Sequence, residues 1–239
     1  MIFHSNSDNY KKLNIITSLN NTQMKKILFL SFILISLISC SKKQIRIVCV
    51  GDSITEGAGI SMQNTSAYPA VLGQILGSNT QVLNAGRSAT TLQKEGDFPY
   101  WTTNEFSNMF AFNPNIVIIK LGTNDTKPQN WNRERFEKDY QSLIDTIRSM
   151  PNQPKILLCI PVPVFESAWG INDSTLTAGV IPAIQLLAKS NQLETIDLNT
   201  AMKDKGSYFP DHIHPNEGGA LIMATIIAEK IKKLNLLSE

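Results

Sequence analysis

The sequence predicts an α/β fold in which a parallel five-stranded sheet carries helices on both faces. Near-continuous apolar runs recur along the 239-residue chain, and segments with a helical spacing of apolar residues separate them. That alternation marks a sheet buried on both sides by its own crossover helices. The loops that follow the runs also hold the residue types able to do chemistry, as expected where ligands bind outside the carboxyl ends of parallel strands.

The first run, residues 45–50, reads IRIVCV and breaks into Gly51-Asp52-Ser53, with a second glycine at Gly57. A helix is expected to begin near Pro69, whose fixed φ suits a first turn, with Val71, Leu72, Ile75 and Leu76 inward. The second run, 81–84, leads into Ala85-Gly86-Arg87-Ser88, and the third, 115–121, into Gly122-Thr123-Asn124-Asp125. The clearest helix follows: Phe136, Tyr140, Leu143, Ile144, Ile147 and Met150 form one apolar stripe, which Pro151 and Pro154 stop. The fourth run, 155–160, precedes Pro161-Val162-Pro163, and the fifth is 195–198. Asp211-His212-Ile213-His214-Pro215 then leads into a last helix with Ala220, Leu221, Ala224, Ile227, Ala228 and Ile231 on one face.

Ahead of this domain, residues 24–40 read MKKILFLSFILISLISC. Two lysines, an apolar stretch over 27–38 and a closing Ser39-Cys40 have the dimensions of a secretory signal, and the stretch is too short for a comfortable permanent span. The ending Leu37-Ile38-Ser39-Cys40 resembles a bacterial lipobox, which implies lipidation of Cys40 and a domain held in water at the cell envelope, periplasmic or outward facing. The expected organisation is an extension without assigned structure over 1–23, a signal peptide over 24–39, a lipidated N-terminus and linker over 40–44, and one domain over 45–239. Setting aside Lys11, Lys12, Lys25, Lys26 and Asp8 leaves 18 basic and 19 acidic residues, a net charge of −1. Such a balance gives no electrostatic reason for a nucleic-acid partner. Cys49 and Cys159 lie inside apolar runs and read as buried thiols, without disulfide or zinc spacing.

A serine hydroxyl becomes a useful nucleophile when a histidine takes its proton and a carboxylate holds the histidine's tautomer. After residue 40 the chain has two histidines, His212 and His214. A carboxylate three residues ahead can fold back within a turn to meet an imidazole, so the base is His214, the orienter Asp211, and the nucleophile Ser53. Donors for a developing oxyanion are expected from the N–H of Ser53, the N–H of Gly86, where a missing side chain lets a substrate approach, and the Asn124 amide. Asp52, Glu56 and Asp125 read as hydrogen-bonding scaffold. Asp211, His212 and His214 taken as a metal cluster is the weaker alternative, and no metal or cofactor is expected. An imidazole base implies activity that falls on the acid side.

"GDSITEG", the glycine of "LNAGRSATT", "GTND" and "DHIHP" together resemble the four sequence blocks of the SGNH, or GDSL, hydrolases, in order and across 45–233. The resemblance implies a flavodoxin-like α/β/α sandwich and metal-free ester hydrolysis through an acyl-enzyme. By it Ser53, Asp211 and His214 form the triad, and Gly86 and Asn124 are oxyanion partners. Two departures stand out: Ala89 occupies a place where glycine is common, and His212 one often filled by a small residue.

Aromatic residues cluster in the loops: Tyr68, Phe98, Tyr100 and Trp101, then Trp131, then Phe165 and Trp169. Trp101, Trp131, Phe165 and Trp169 are candidate platforms for sugar rings, and capping of the core is the alternative role for all of them. "GTNDTKPQNW" and "PVPVF...WGIND" resemble segments of bacterial glycan-directed esterases of this family. Three functions remain open at this level: a carbohydrate O-acetylesterase, a lysophospholipase or thioesterase with residues 161–171 lining an acyl groove, and a non-catalytic glycan-binding lipoprotein.

Overall fold

The computed structural model describes residues 44–237; the signal-like segment, Cys40 and the first 23 residues lie outside the described residues. Five parallel strands, β1 (Ile45–Gly51), β2 (Thr80–Gly86), β3 (Ile116–Lys120), β4 (Lys155–Ile160) and β5 (Glu194–Asp197), form one sheet in the order β2-β1-β3-β4-β5. Successive side chains of a strand point to opposite faces. Both faces are covered, which is why the runs show no polar alternation. Val48, Val50, Val117, Ile119 and Leu158 enter one core with α4 (Asn104–Phe112), α5 (Arg133–Arg148) and α7 (Ile181–Asn191). Ile47, Cys49, Ile118, Leu157 and Cys159 enter the other with α3 (Tyr68–Leu76), α8 (Leu198–Met202) and α9 (Glu217–Lys233).

The short helices α1 (Ser53–Glu56), α2 (Gln63–Ser66) and α6 (Asp173–Thr175) fill the connections. From β1 the chain steps out to β2 and returns across β1 to β3. Strand order reverses there, and such a switch point opens a crevice at the carboxyl ends of β1 and β3.

Three local expectations change. Strand β2 is longer than its apolar run because, as an edge strand, it exposes part of its surface while pairing along the whole of β1. Strand β5 stops at Asp197, whose side chain accepts the Thr200 N–H at 2.9 Å, so Leu198 begins a helix instead of ending a strand. On α9, Leu221 faces solvent and Met223 takes the buried position, because the helix turns its i+3 and i+4 neighbours of Ala220 to the core. The stripe of α5 is buried as expected, with Asn132 capping its start and the helix ending at Arg148, ahead of Pro151.

Candidate active site

Strand β1 delivers Ser53 as the first residue of α1, a turn shaped by its neighbours. Asp52 caps it, its Oδ1 accepting the Ile54 N–H at 3.0 Å. Gly51 admits no side chain, since a Cβ there would lie 2.0 Å from Thr55 Oγ1. Gly57 closes the turn at φ +99°, in the left-handed region open to glycine. Ser53 Oγ stands 2.8 Å from His214 Nε2, across 161 residues of sequence.

Asp211 and His214 meet as their spacing predicts. Asp211 Oδ2 lies 2.7 Å from His214 Nδ1, while Oδ1 accepts the backbone N–H groups of His214 at 2.7 Å and Ile213 at 3.0 Å. Partial burial pushes the Asp211 carboxyl up, but these hydrogen bonds and the facing imidazole prevail and hold it below its ordinary range. His212, at φ +68°, turns away and pairs with Glu166 at 3.3 Å. The two imidazoles therefore do not share a ligand set, contrary to the metal-cluster alternative.

Asn124 begins a short 3₁₀ turn after β3 and is buried. Its Nδ2 donates one hydrogen to the Thr90 carbonyl at 3.1 Å, and an amide nitrogen has a second to give. Ser53, at the start of α1, has an N–H without an intrahelical acceptor. Gly86 is a correction. Its N–H is taken by Asn84 Oδ1 at 2.9 Å, and a Cβ at Gly86 would lie 2.2 Å from the Glu56 nitrogen. Its missing side chain makes room for α1, not for a substrate. Ala89 instead lines the same cleft as Ser53 and Asn124, at φ +66°, in backbone geometry that glycine normally supplies. The sequence signal for this was the residue noted as standing where glycine is common.

The scaffold carboxylates behave as expected. Glu56 accepts from the backbone and hydroxyl of Ser88. Asp125 accepts the N–H groups of Leu92 and Gln93, each at 2.9 Å, anchoring the loop after β2 to the loop after β3. Burial pushes the Asp125 carboxyl up to about 6, against the pull of these hydrogen bonds. Asp52 has a partner the sequence reading missed: Lys120 Nζ, 3.0 Å away, with both side chains fully buried. Its signal was a lysine closing the apolar strand IVIIK.

Ser53, Asn124 and His214 share a cleft of about 250 Å³ with Ala58, Ala89, Lys127, Trp169 and Ile171. Trp169 is 65% exposed, with its ring centroid 5.8 Å from that of His214. It sits with Gly170 in a tight turn between Ala168 and Ile171, both turn residues at positive φ. The other three aromatic candidates are corrections, because each ring is spent on packing. Trp101 donates Nε1–H to the Leu92 carbonyl at 2.7 Å and packs at a tilt against Phe106, with ring centroids 5.3 Å apart. Trp131 packs on Phe136 and fills the notch left by Gly179, where a Cβ would come within 2.4 Å of its ring. Phe165 lies against Phe209, with centroids 4.8 Å apart. Tyr68 and Tyr100 are buried outright.

An apposed serine, histidine and aspartate beside N–H donors can transfer an acyl group. The chain is similar to several known proteins. An acetylxylan esterase of Xylanibacter ruminicola is 43% identical over 207 residues, covering 79% of this chain; the chain spans 43% of that relative's length. Among solved structures, the aryl esterase of M. smegmatis superposes with a TM-score of 0.65 at 23% identity, over 80% of this chain and 99% of that one. A carbohydrate acetylesterase from Sinorhizobium meliloti superposes with a TM-score of 0.65 at 19% identity, over 80% of this chain and 100% of its own. These two likenesses establish the fold. Residues 49–222 match the GDSL-like lipase/acylhydrolase family, and the chain belongs to it.

Proposed function

We propose that the domain is a serine esterase that removes short acyl groups, acetyl foremost, from carbohydrates through an acyl-enzyme. The observation that carries this reading is the unbroken relay of Ser53, His214 and Asp211, with contacts of 2.8 and 2.7 Å, opening on a small cleft. With Nδ1–H given to Asp211, Nε2 is free to accept the Ser53 proton. Ser53 Oγ attacks the ester carbonyl as its proton passes to Nε2. The oxyanion that forms takes hydrogen bonds from the N–H groups of Ser53 and Ala89 and from Asn124 Nδ2. Collapse expels the sugar alcohol, which takes the proton from His214, and leaves the acyl group on Ser53. Water then gives a proton to His214 and attacks the acyl carbonyl; Ser53 leaves with that proton and the carboxylic acid is released.

Two features support the substrate class. Ala58, Ala89 and Ile171 share a cleft of about 250 Å³ with the relay, which suits a short acyl group better than a long chain. Trp169 presents a flat exposed ring beside His214, suited to the face of a sugar. The likeness to an acetylxylan esterase points to an acetylated polysaccharide backbone as the ester bearer. The test is hydrolysis of aryl esters of increasing acyl length, then of acetylated xylan oligosaccharides, with Ser53→Ala as the blank. Acetyl is expected to react fastest. A preference for long chains would move the assignment to a lysophospholipase or thioesterase, and the absence of any serine-dependent rate would favour a glycan-binding protein.

We also infer attachment to the cell envelope through lipidated Cys40, on the strength of the charged, then apolar, then cysteine pattern of residues 24–40. Cys40→Ser is expected to leave the membrane fraction; equal partition of the variant and the wild type would overturn the anchor.

A further inference from the structure

Lys120 closes β3, and its ammonium is buried beneath the cleft floor's two loops rather than in the cleft itself. Nζ donates to Asp52 Oδ1 at 3.0 Å, to Asp52 Oδ2 at 3.1 Å and to Thr123 Oγ1 at 3.1 Å. These partners belong to different loops: Asp52 precedes Ser53 and caps α1, while Thr123 precedes Asn124. A lysine has three donors, and these contacts use them. The β1/β3 register puts Gly51 opposite Lys120, so the ammonium lies beside the loop that leaves β1.

A buried ion pair is often no better for stability than a packed hydrophobic side chain of similar volume. What an apolar side chain cannot do is tie two loops at a set distance. We propose that Lys120 is a positioning residue of the esterase site, holding the Ser53 turn and the Asn124 loop so that the nucleophile and the oxyanion donor address one carbonyl. The proposal rests on the serine-esterase reading. Neither Lys120 nor Asp52 lines the cleft. Loosening the tie therefore disturbs the reacting geometry and leaves substrate contacts in place.

The experiment compares the wild type with Lys120→Met, Thr123→Val and the double variant Lys120→Met/Asp52→Asn, whose asparagine keeps the helix cap. Three quantities are read for each: melting temperature, kcat and KM on an aryl acetate well below melting, and the rate at which a fluorophosphonate labels Ser53. Lys120→Met is expected to lose roughly 10²-fold in kcat and in labelling, as for a misplaced reacting group, with KM within about twofold. Thr123→Val, which cuts one arm and spares the ion pair, is expected to lose about tenfold in kcat. In the double variant no buried charge is left unpaired, so the melting temperature recovers while kcat remains low. A double variant with wild-type kcat and labelling would make the pair a matter of folding alone and overturn the proposal. A Thr123→Val variant with unchanged kcat would do the same, and it decides the question if the lysine variants fail to fold. A wild type that neither hydrolyses esters nor labels at Ser53 would overturn the esterase reading, and this proposal with it. An active wild type with equally active variants overturns the positioning role alone.

Discussion

Ser53 stands on a buried turn whose capping aspartate is tied to a lysine 68 residues away, whereas His214 is oriented by a carboxylate three residues before it. The Ser53 side is closed: Asp52 and Lys120 are fully buried, and Gly51 and Gly86 are so tightly opposed to α1 that neither tolerates a side chain. The His214 side is open, with the Asp211 side chain 40% exposed and its geometry set by two backbone N–H groups of its own turn. An imidazole can thus be aimed by a local turn. The serine it serves is aimed by sheet register and long-range contacts.

The largest expected effect is at the point where the two sides meet. Ser53→Ala removes the group the relay activates, and a loss of at least about 10⁴-fold in kcat is expected with an unchanged melting temperature. Retained turnover would sink the serine mechanism. Asn124→Ala is next, with a loss of roughly 10² to 10³ in kcat, the usual effect of one oxyanion donor. An unchanged kcat would assign that role to the N–H groups alone.

Gly86→Ala sharpens the comparison on the Ser53 side. Its Cβ would collide with the backbone of α1, and an overpacked site of this kind costs about 1–3 kcal/mol. The expected signature is a lowered melting temperature. A variant that melts with the wild type but loses kcat would return Gly86 to the oxyanion role.

The smallest effect on stability is on the open side. The Asp211 carboxyl is held below its ordinary value of 3.8, although partial burial acts to raise it. A lowered carboxyl adds stability that is present above about 3.8 and is lost as pH falls through the native value. Solvent reaches this side chain, so the gain is small. Asp211→Asn is expected to lower the urea midpoint slightly at pH 7 and to converge on the wild type in acid below 3.8. A deficit that does not change with pH would mean that packing, not charge, is what Asp211 supplies to stability.

The sequence made some of these residues easier to read than others, and the reasons are physical. Asp211 and His214 are legible because three residues of spacing is a local constraint. Gly86 was misread because a glycine can mark a close approach, and the letter does not say whether a substrate or another part of the chain is what approaches. Here close approach belongs to Gly86 and positive φ to Ala89. Trp101, Trp131 and Phe165 could not be told from Trp169, since an aromatic residue in a loop packs inward or stands outward according to neighbours distant in sequence. Lys120 escaped notice because a charge at a strand end reads as solvated until its buried partner is known.

By itself the sequence determined the parallel α/β sheet, the helix stripes, and the Asp211-to-His214 turn, all of which follow from periodicity or short-range geometry. Tertiary structure brought Ser53 to His214, as the sequence blocks implied, and it alone decided that Ala89 and not Gly86 borders the cleft, that one tryptophan of three faces it, and that a buried lysine joins the loops beneath. Each of these rests on a contact between segments far apart in the chain, and such contacts exist only once the strands have taken their register.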